Sequence, residues 1–315
     1  MSSYLTTDSL IESVKRRASI PESQVTFQDS DFLAFANEEI AIGLLPVIMQ
    51  FHEEFFVYDK EIPLVANKSA YSIPSRAVGS KLRSIFYKDS SGNLQEMARI
   101  QPEDIMYFRS AGSGNQYNQY YIQNNTVVLA QDVGASPSGS LLMYYYMRPN
   151  QLVAESRVSV ITAIDTVTGV ITVDTVPSVF SSSSTFDLIE ANGAHRTKAL
   201  DLSASNVNSS SGMITFDADD LPSDLEVGDH INLSGESVIP QMPDDLHSVL
   251  AQRVAARCLE SLGDQAGLQS ANAKLTEMEL KMGNLIDNRT ENNPPKVNNL
   301  RGILRQGRQY SRRRF

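Results

Sequence analysis

The chain has 315 residues, 41% of them apolar and 20% charged, with a net charge of −10 at neutral pH. That balance fits a folded protein with room for a substantial core, organised as one large domain or two to three smaller ones. No apolar run approaches the ~20 residues of a membrane span, Met1–Thr6 lacks the basic-then-apolar order of a secretion signal, and a single cysteine, Cys258, excludes an internal disulfide and a multi-cysteine metal site.

The charge is unevenly spread. From Asn288 to Phe315 there are eight basic side chains against one acid, Glu291, a net +7. The remaining body carries 19 basic and 36 acidic side chains, a net −17. Such a body repels nucleic acid at long range, while the tail seeks an acidic surface.

In chain order, residues 8–18 read as a short helix with a narrow apolar face of Leu10, Ile11 and Val14, and Ser9-Leu10-Ile11-Glu12 matches a capping box. Ile20-Pro21 breaks it. Asp29 or Ser30 is positioned to cap a long second helix, whose apolar positions run Phe32, Phe35, Ala36, Ile40, Leu44, Val47, Ile48, Phe51 and Phe55. Pro46 removes the bond to Ile42 and predicts a kink. His52-Glu53-Glu54 lacks the one-turn histidine spacing of metalloprotease helices and reads as a solvated face.

From Tyr58 the texture changes to short, turn-bounded strands. Lys81–Lys88 and the turn Asp89–Asn93 predict a hairpin, Pro102–Phe108 a helical turn, and Gly112–Asn115 a loop without the Lys-Ser/Thr of a phosphate site. Further strands are expected at Gln119–Gln123, Thr126–Leu129 and Gly139–Arg148. Tyr144-Tyr145-Tyr146 could stack on bases, but strands bury an aromatic face routinely, and the acidic body argues against nucleic acid here.

An internal repeat follows. Thr168-Gly169-Val170-Ile171-Thr172-Val173-Asp174 matches Ser211-Gly212-Met213-Ile214-Thr215-Phe216-Asp217, 43 positions on. A proline (Pro177, Pro222) and a second strand (Phe186–Ile189, Asp229–Leu233) follow each copy, predicting a duplicated strand–turn–strand unit in a small barrel or sandwich. Asp217, Asp219 and Asp220 lack the order of a calcium loop and read as a turn. Beyond Pro243, Leu246, Val249, Leu250, Val254, Cys258 and Leu262 line one helix. Gly263 stops it, and Leu268, Ala271, Leu275, Met278, Met282 and Leu285 form a heptad seam on the next. The pair is expected to fold back as a hairpin, with Cys258 a core residue.

The fold expected is α+β: a helical bundle drawn from both chain ends, an inserted antiparallel β region and an extended C-terminal tail. The divisions are 1–58 (N-terminal helices), 59–150 (β domain), 151–242 (duplicated β module), 243–287 (helical hairpin) and 288–315 (basic tail). The sequence has no nucleophile elbow, Walker loop, dinucleotide fingerprint or metal cluster. His52, His195, His230 and His247 fall in unrelated local contexts. No enzyme activity, catalytic residue, cofactor or metal is expected.

Three segments carry a resemblance: Leu10–Arg17, Asp31–Ile40 and Leu246–Arg257. With the Thr-Gly-Val-Ile-Thr-Val-Asp repeat, the arrangement resembles the head-to-tail connector, or adaptor, proteins of tailed bacteriophages. The resemblance implies a structural protein of the virion neck, made in the bacterial host cytoplasm. It implies a homo-oligomeric ring, of twelve copies, beneath the portal protein and above tail or nozzle proteins. Genomic DNA would pass through without sequence recognition, and no membrane is involved. The tail residues Arg301, Arg305, Arg308, Tyr310, Arg312, Arg313, Arg314 and Phe315 are the portal-docking candidates. Two other readings stand beside it: a tail or host-surface binding protein using the duplicated module, and a nucleic-acid-binding protein acting through the basic tail.

Overall fold

Three helical segments open the chain in the computed structural model, which describes residues 6–21, 23, 26–105 and 117–286. α1 (Thr7–Arg17) buries Leu10, Ile11 and Val14, the face their spacing predicts. Its cap differs from expectation. Thr6 is the N-cap, and the Ser9 hydroxyl donates to the Thr6 carbonyl at 2.8 Å, so Ser9 and Glu12 lie inside the helix. Glu12 pairs with Arg16 one turn on. α2 (Asp29–Glu38) is capped by neither Asp29 nor Ser30. Gln28 precedes it, and its backbone N–H donates to the Asp31 carboxylate at 2.8 Å.

The kink expected at Pro46 takes another form. Glu39–Leu44 is π-helical, and α3 (Leu45–Phe51) restarts with Pro46 in its first turn. The Leu45 N–H donates to the Ile40 carbonyl, five residues back. The widened turn places proline where its missing N–H breaks no α-helical bond. Asp29–Phe51 is thereby one helical stretch of 23 residues, within which 18 consecutive residues reach a mean hydropathy of 1.6, long and apolar enough by length and composition to cross a membrane. Asn37, Glu38 and Glu39 interrupt it, so no uninterrupted apolar run in it reaches the ~20 residues of a span. Its apolar face of Phe32, Leu33, Ala36, Ile40, Leu44 and Ile48 is buried in the core, which accounts for the composition.

The same core takes in the other end of the chain. A short 3-10 turn (Asp244–Leu246) leads into α4 (His247–Leu262); Gly263, at φ +73°, ends it in the left-handed region. Asp264 accepts the Gly267 N–H at 3.0 Å as α5 (Gln265–Ile286) begins. Leu246, Val249, Leu250, Val254, Cys258, Ala271 and Met282 are buried together with the α1 and α2 faces. Burial pushes the Cys258 thiol up to about 11, as a core residue requires. Leu262, the last residue of α4, is instead 45% exposed.

Two four-stranded sheets share a second core. One has the order β1 (Val57–Pro63), β8 (Ser140–Met147), β3 (Ala77–Lys88), β4 (Leu94–Glu96). The other has the order β2 (Ala70–Ser72), β7 (Thr126–Leu129), β6 (Gln119–Gln123), β5 (Ala98–Arg99). Asp89 closes the β3–β4 turn by accepting the Ser91 and Asn93 N–H groups at 2.8 and 2.9 Å. Tyr145, Tyr146 and Met147 on the central strand β8 are buried, and Tyr144 stacks edge-on against Phe86. The tyrosine run is packing, and none of it forms an open stacking platform. A 3-10 turn occupies Pro102–Asp104; the expected continuation to Phe108 and the Gly112–Asn115 loop lie outside the described residues.

The repeat organises a third core. Its sheet has the order β13 (Thr197–Ser203), β12 (Thr185–Ile189), β16 (His230–Leu233), β10 (Ser159–Asp165), β11 (Val170–Val173), β15 (Met213–Thr215), β14 (Asn206–Asn208). The two copies pair with each other. Ile171 faces Ile214 in β11–β15, and Leu188 faces Ile231 in β12–β16; each pair is 43 positions apart, the period of the repeat. The hairpin contact Ile164–Ile171 recurs as Val207–Ile214, again shifted by 43. The module therefore has a local two-fold arrangement centred on these two strand pairs. A two-stranded parallel ladder, β9 (Gln151–Leu152) with β17 (Glu236–Ser237), closes its base.

Glycine is required at the repeat turns. Gly169 (φ +71°) would place a Cβ 2.4 Å from the Phe216 carbonyl oxygen, and its equivalent Gly212 (φ +66°) 2.8 Å from the Val173 oxygen. Gly169→Ala is expected to destabilise the protein by about 1–3 kcal/mol, with Gly212→Ala milder. Urea denaturation followed by circular dichroism checks the ranking; a neutral Gly169→Ala would show that the β11–β15 pairing is not what the fold depends on.

Candidate functional site

The eight tail candidates, Arg301, Arg305, Arg308, Tyr310, Arg312, Arg313, Arg314 and Phe315, lie outside the described residues. The structure does place the point from which the tail departs. α5 ends at buried Ile286, and Gly283 lies against the ring of Phe51 at the end of α3, with a Cβ position 3.6 Å from it. Beyond Phe51 come Glu53 and Glu54, both within ion-pair reach of Arg83, at 3.8 and 3.3 Å. Glu53 also accepts from the Tyr146 hydroxyl at 3.1 Å.

The three cores meet in a polar seam that no motif in the sequence marks. Asp187 on β12 is fully buried. Arg76, from the loop before β3, donates to it through both terminal nitrogens, at 2.6 and 3.0 Å. Asn150, after β8, donates at 2.8 Å, and the Gly235 and Asp201 backbone N–H groups donate at 3.0 Å each. Five donors thus hold one carboxylate. Burial alone would lower the Arg76 pKa, but the Asp187 hydrogen bonds and charge outweigh it and the guanidinium is held up. Asp201 reaches Asp187 because its backbone is left-handed, φ +55°, beside the register shift in β12–β13.

The seam continues toward α4. Gln241 accepts the Asn150 N–H at 2.8 Å and donates to the Thr197 hydroxyl at 2.7 Å. Next to it His195, from the β12–β13 loop, lies beside Asp244 and His247 at the start of α4; His195 Nε2 is 2.8 Å from an Asp244 oxygen. Burial, then the neighbouring His195, pushes His247 down to about 4, so its ring is neutral at neutral pH. These two histidines are 52 positions apart in the sequence, and only the fold brings them together.

On the helical side, Asn37 holds the Leu152 backbone from both directions, accepting its N–H at 2.7 Å and donating to its carbonyl at 3.1 Å. Glu39 in the π-helical turn takes Arg253 at 3.1 Å and Arg257 at 2.7 Å, tying α4 to the first helices. Arg17 donates to Gln252 at 3.0 Å, and Gln252 donates to the Ala271 carbonyl at 3.2 Å.

Cores locked together by buried polar contacts define, among the described residues, an α+β protein whose polar chemistry goes largely into holding its parts together. The chain belongs to the SU10 adaptor protein family, whose sequence model matches residues 5–174. It is a phage adaptor protein, a structural component of the phage particle that interacts with other head or tail proteins. The match takes in α1–α3, the two four-stranded sheets and the first copy of the repeat. No curated protein matches the chain.

Removing one partner of a buried ion pair leaves the other uncompensated. Here Arg76 keeps Asp201 at 2.8 Å, so Asp187→Asn is expected to cost about 1–3 kcal/mol, whereas Arg76→Met with Asp187→Leu costs more, because it also leaves the Asn150 amide and the Gly235 and Asp201 N–H groups without an acceptor. Urea midpoints of the three proteins check this; equal midpoints for wild type and Asp187→Asn would remove the seam from its structural role.

Proposed function

We propose that this adaptor protein is a subunit of the head-to-tail connector ring, a dodecamer bound beneath the phage portal, and that its basic C-terminal tail docks on the portal while DNA passes through the lumen. The role is structural, without catalysis. Membership of the adaptor family supports the class, and the observation that carries the docking role is the charge asymmetry, a +7 tail on a −17 body. A short cationic segment of this kind binds weakly alone, and many copies in a ring multiply that affinity. An acidic body would keep packaged DNA from adhering to the channel, since like charge repels phosphate.

Within this reading the helices of the two chain ends act as one bundle and the duplicated module as a small closed barrel. Support for the barrel is that β13 and β14, the outer strands of the seven-strand order, are separated only by Ala204 and Ser205.

The test is deletion of residues 288–315. The truncated protein is expected to keep its far-ultraviolet circular dichroism and lose portal-ring binding at least ~100-fold, the scale of multivalent avidity. Retained binding would overturn the docking role. DNA affinity that falls steeply with salt and vanishes on the same deletion would favour the nucleic-acid reading. In purified virions, quantitative mass spectrometry is expected to return a near one-to-one ratio to portal protein; a ratio far above one would favour a tail or host-surface role for the duplicated module.

A further inference from the structure

His195, Asp244 and His247 converge where the duplicated module meets the start of α4. One ligand atom from each lies within 4.8 Å of the other two. Both imidazoles are buried, at 2% and 7% exposure, while Asp244 remains open to solvent. The ring centroids are 5.8 Å apart with planes tilted 36°.

Each ring has a backbone carbonyl for one nitrogen. His247 Nε2 is 3.1 Å from the Pro240 oxygen, and His195 Nδ1 lies at a longer 3.4 Å from the Glu190 oxygen. A carbonyl can only accept, so neutral His247 donates through Nε2 and keeps a lone pair on Nδ1. For His195 the shorter contact runs from Nε2 to the Asp244 carboxylate at 2.8 Å; a carboxylate also only accepts, so Nε2–H donates there until an ion displaces the proton. Imidazoles oriented by a carbonyl on the outer nitrogen are the usual second shell of metal-binding histidines. His195 also occupies left-handed backbone, φ +50°, a conformation uncommon outside glycine.

We propose that His195, Asp244 and His247 bind a divalent transition-metal ion of the zinc class, and that the ion clamps the duplicated module onto α4. Two histidines and a carboxylate are a known zinc donor set, with the fourth position left to water. Bonds of 2.0–2.1 Å in a tetrahedral site place donor atoms ~3.4 Å apart. The three donor atoms start within 4.8 Å of one another, and seating the ion opens the His195–Asp244 pair from 2.8 Å, which exposed Asp244 can do by side-chain rotation. Asp244, open to solvent, gives the ion and its water their route, while His195 also forms one wall of a cavity of about 240 Å³ with His52, Tyr58, Met147 and Arg196. The competing account is a plain His195–Asp244 hydrogen bond with His247 merely packed alongside. It predicts no metal affinity above that of an exposed histidine.

The experiment uses the untagged full chain with Zn²⁺, in competition with a chromophoric chelator, and a thermal melt with and without the ion. One ion per chain is expected, with a rise in Tm. Asp244→Asn changes an exposed residue and should keep the fold while weakening binding at least ~10-fold and abolishing the Tm rise, the scale seen when a metal's supporting groups are removed. His247→Ala should lose binding as well, and tetrahedral Co²⁺ absorption should disappear with it. His52→Gln, which lies on the cavity but outside the donor set, should leave binding unchanged. Absence of stoichiometric Zn²⁺ binding by the wild-type chain, binding unaltered in Asp244→Asn, or binding lost in His52→Gln would each overturn the site.

Discussion

Asp187 accepts hydrogen bonds from three different regions of the chain: Arg76 before β3, Asn150 after β8, and the Asp201 and Gly235 backbone within the duplicated module. A buried carboxylate is costly unless its charge is matched and its lone pairs are filled. Here both conditions hold only when the two β regions are docked in one relative position. Apolar cores tolerate some sliding; a bidentate guanidinium–carboxylate pair with three further donors does not. The placement of the duplicated module, and through Gln241 that of the segment entering α4, follows from this contact.

The helical part solves a different problem with the same means. Its apolar faces come from the two ends of the chain, and apolar contact alone leaves their rotation loosely specified. Glu39, reached by Arg253 and Arg257, and Asn37, gripping the Leu152 backbone, set that rotation. Asn37 lies on α2, and Glu39 is the first residue of the π-helical turn. That turn also accommodates Pro46, so one irregularity serves both continuity of the helix and its attachment. For an adaptor protein fixed domain placement has a direct use, since a subunit that interacts with other head or tail proteins must present defined surfaces to them.

Much of the secondary structure was legible because it rests on local patterning. The α1 and α4 faces, the heptad seam of α5 from Leu268 to Met282, the Gly263 stop and the Asp89–Asn93 hairpin turn follow from spacing and turn chemistry, and the structure places them within a few residues. Ser9 and Asp29 are good capping types, but α1 begins where tertiary contact lets it, with the Thr7 N–H held by the Val238 carbonyl at 2.9 Å, and α2 begins at the local Gln28–Asp31 contact. The tail candidates were readable as composition alone, and composition places no residue in space.

The sequence by itself determined the class of fold, the 43-residue duplication and the separation of a basic tail from an acidic body, because period, repeat and charge are properties of consecutive residues. Only the tertiary structure decided that the two repeat copies pair with each other, Ile171 on Ile214 and Leu188 on Ile231. It alone brought Arg76 to Asp187, 111 positions away, and His195 to His247. Long-range pairs of this kind are chosen by shape, register and the need to satisfy buried charge, and those conditions exist only once the chain has closed on itself.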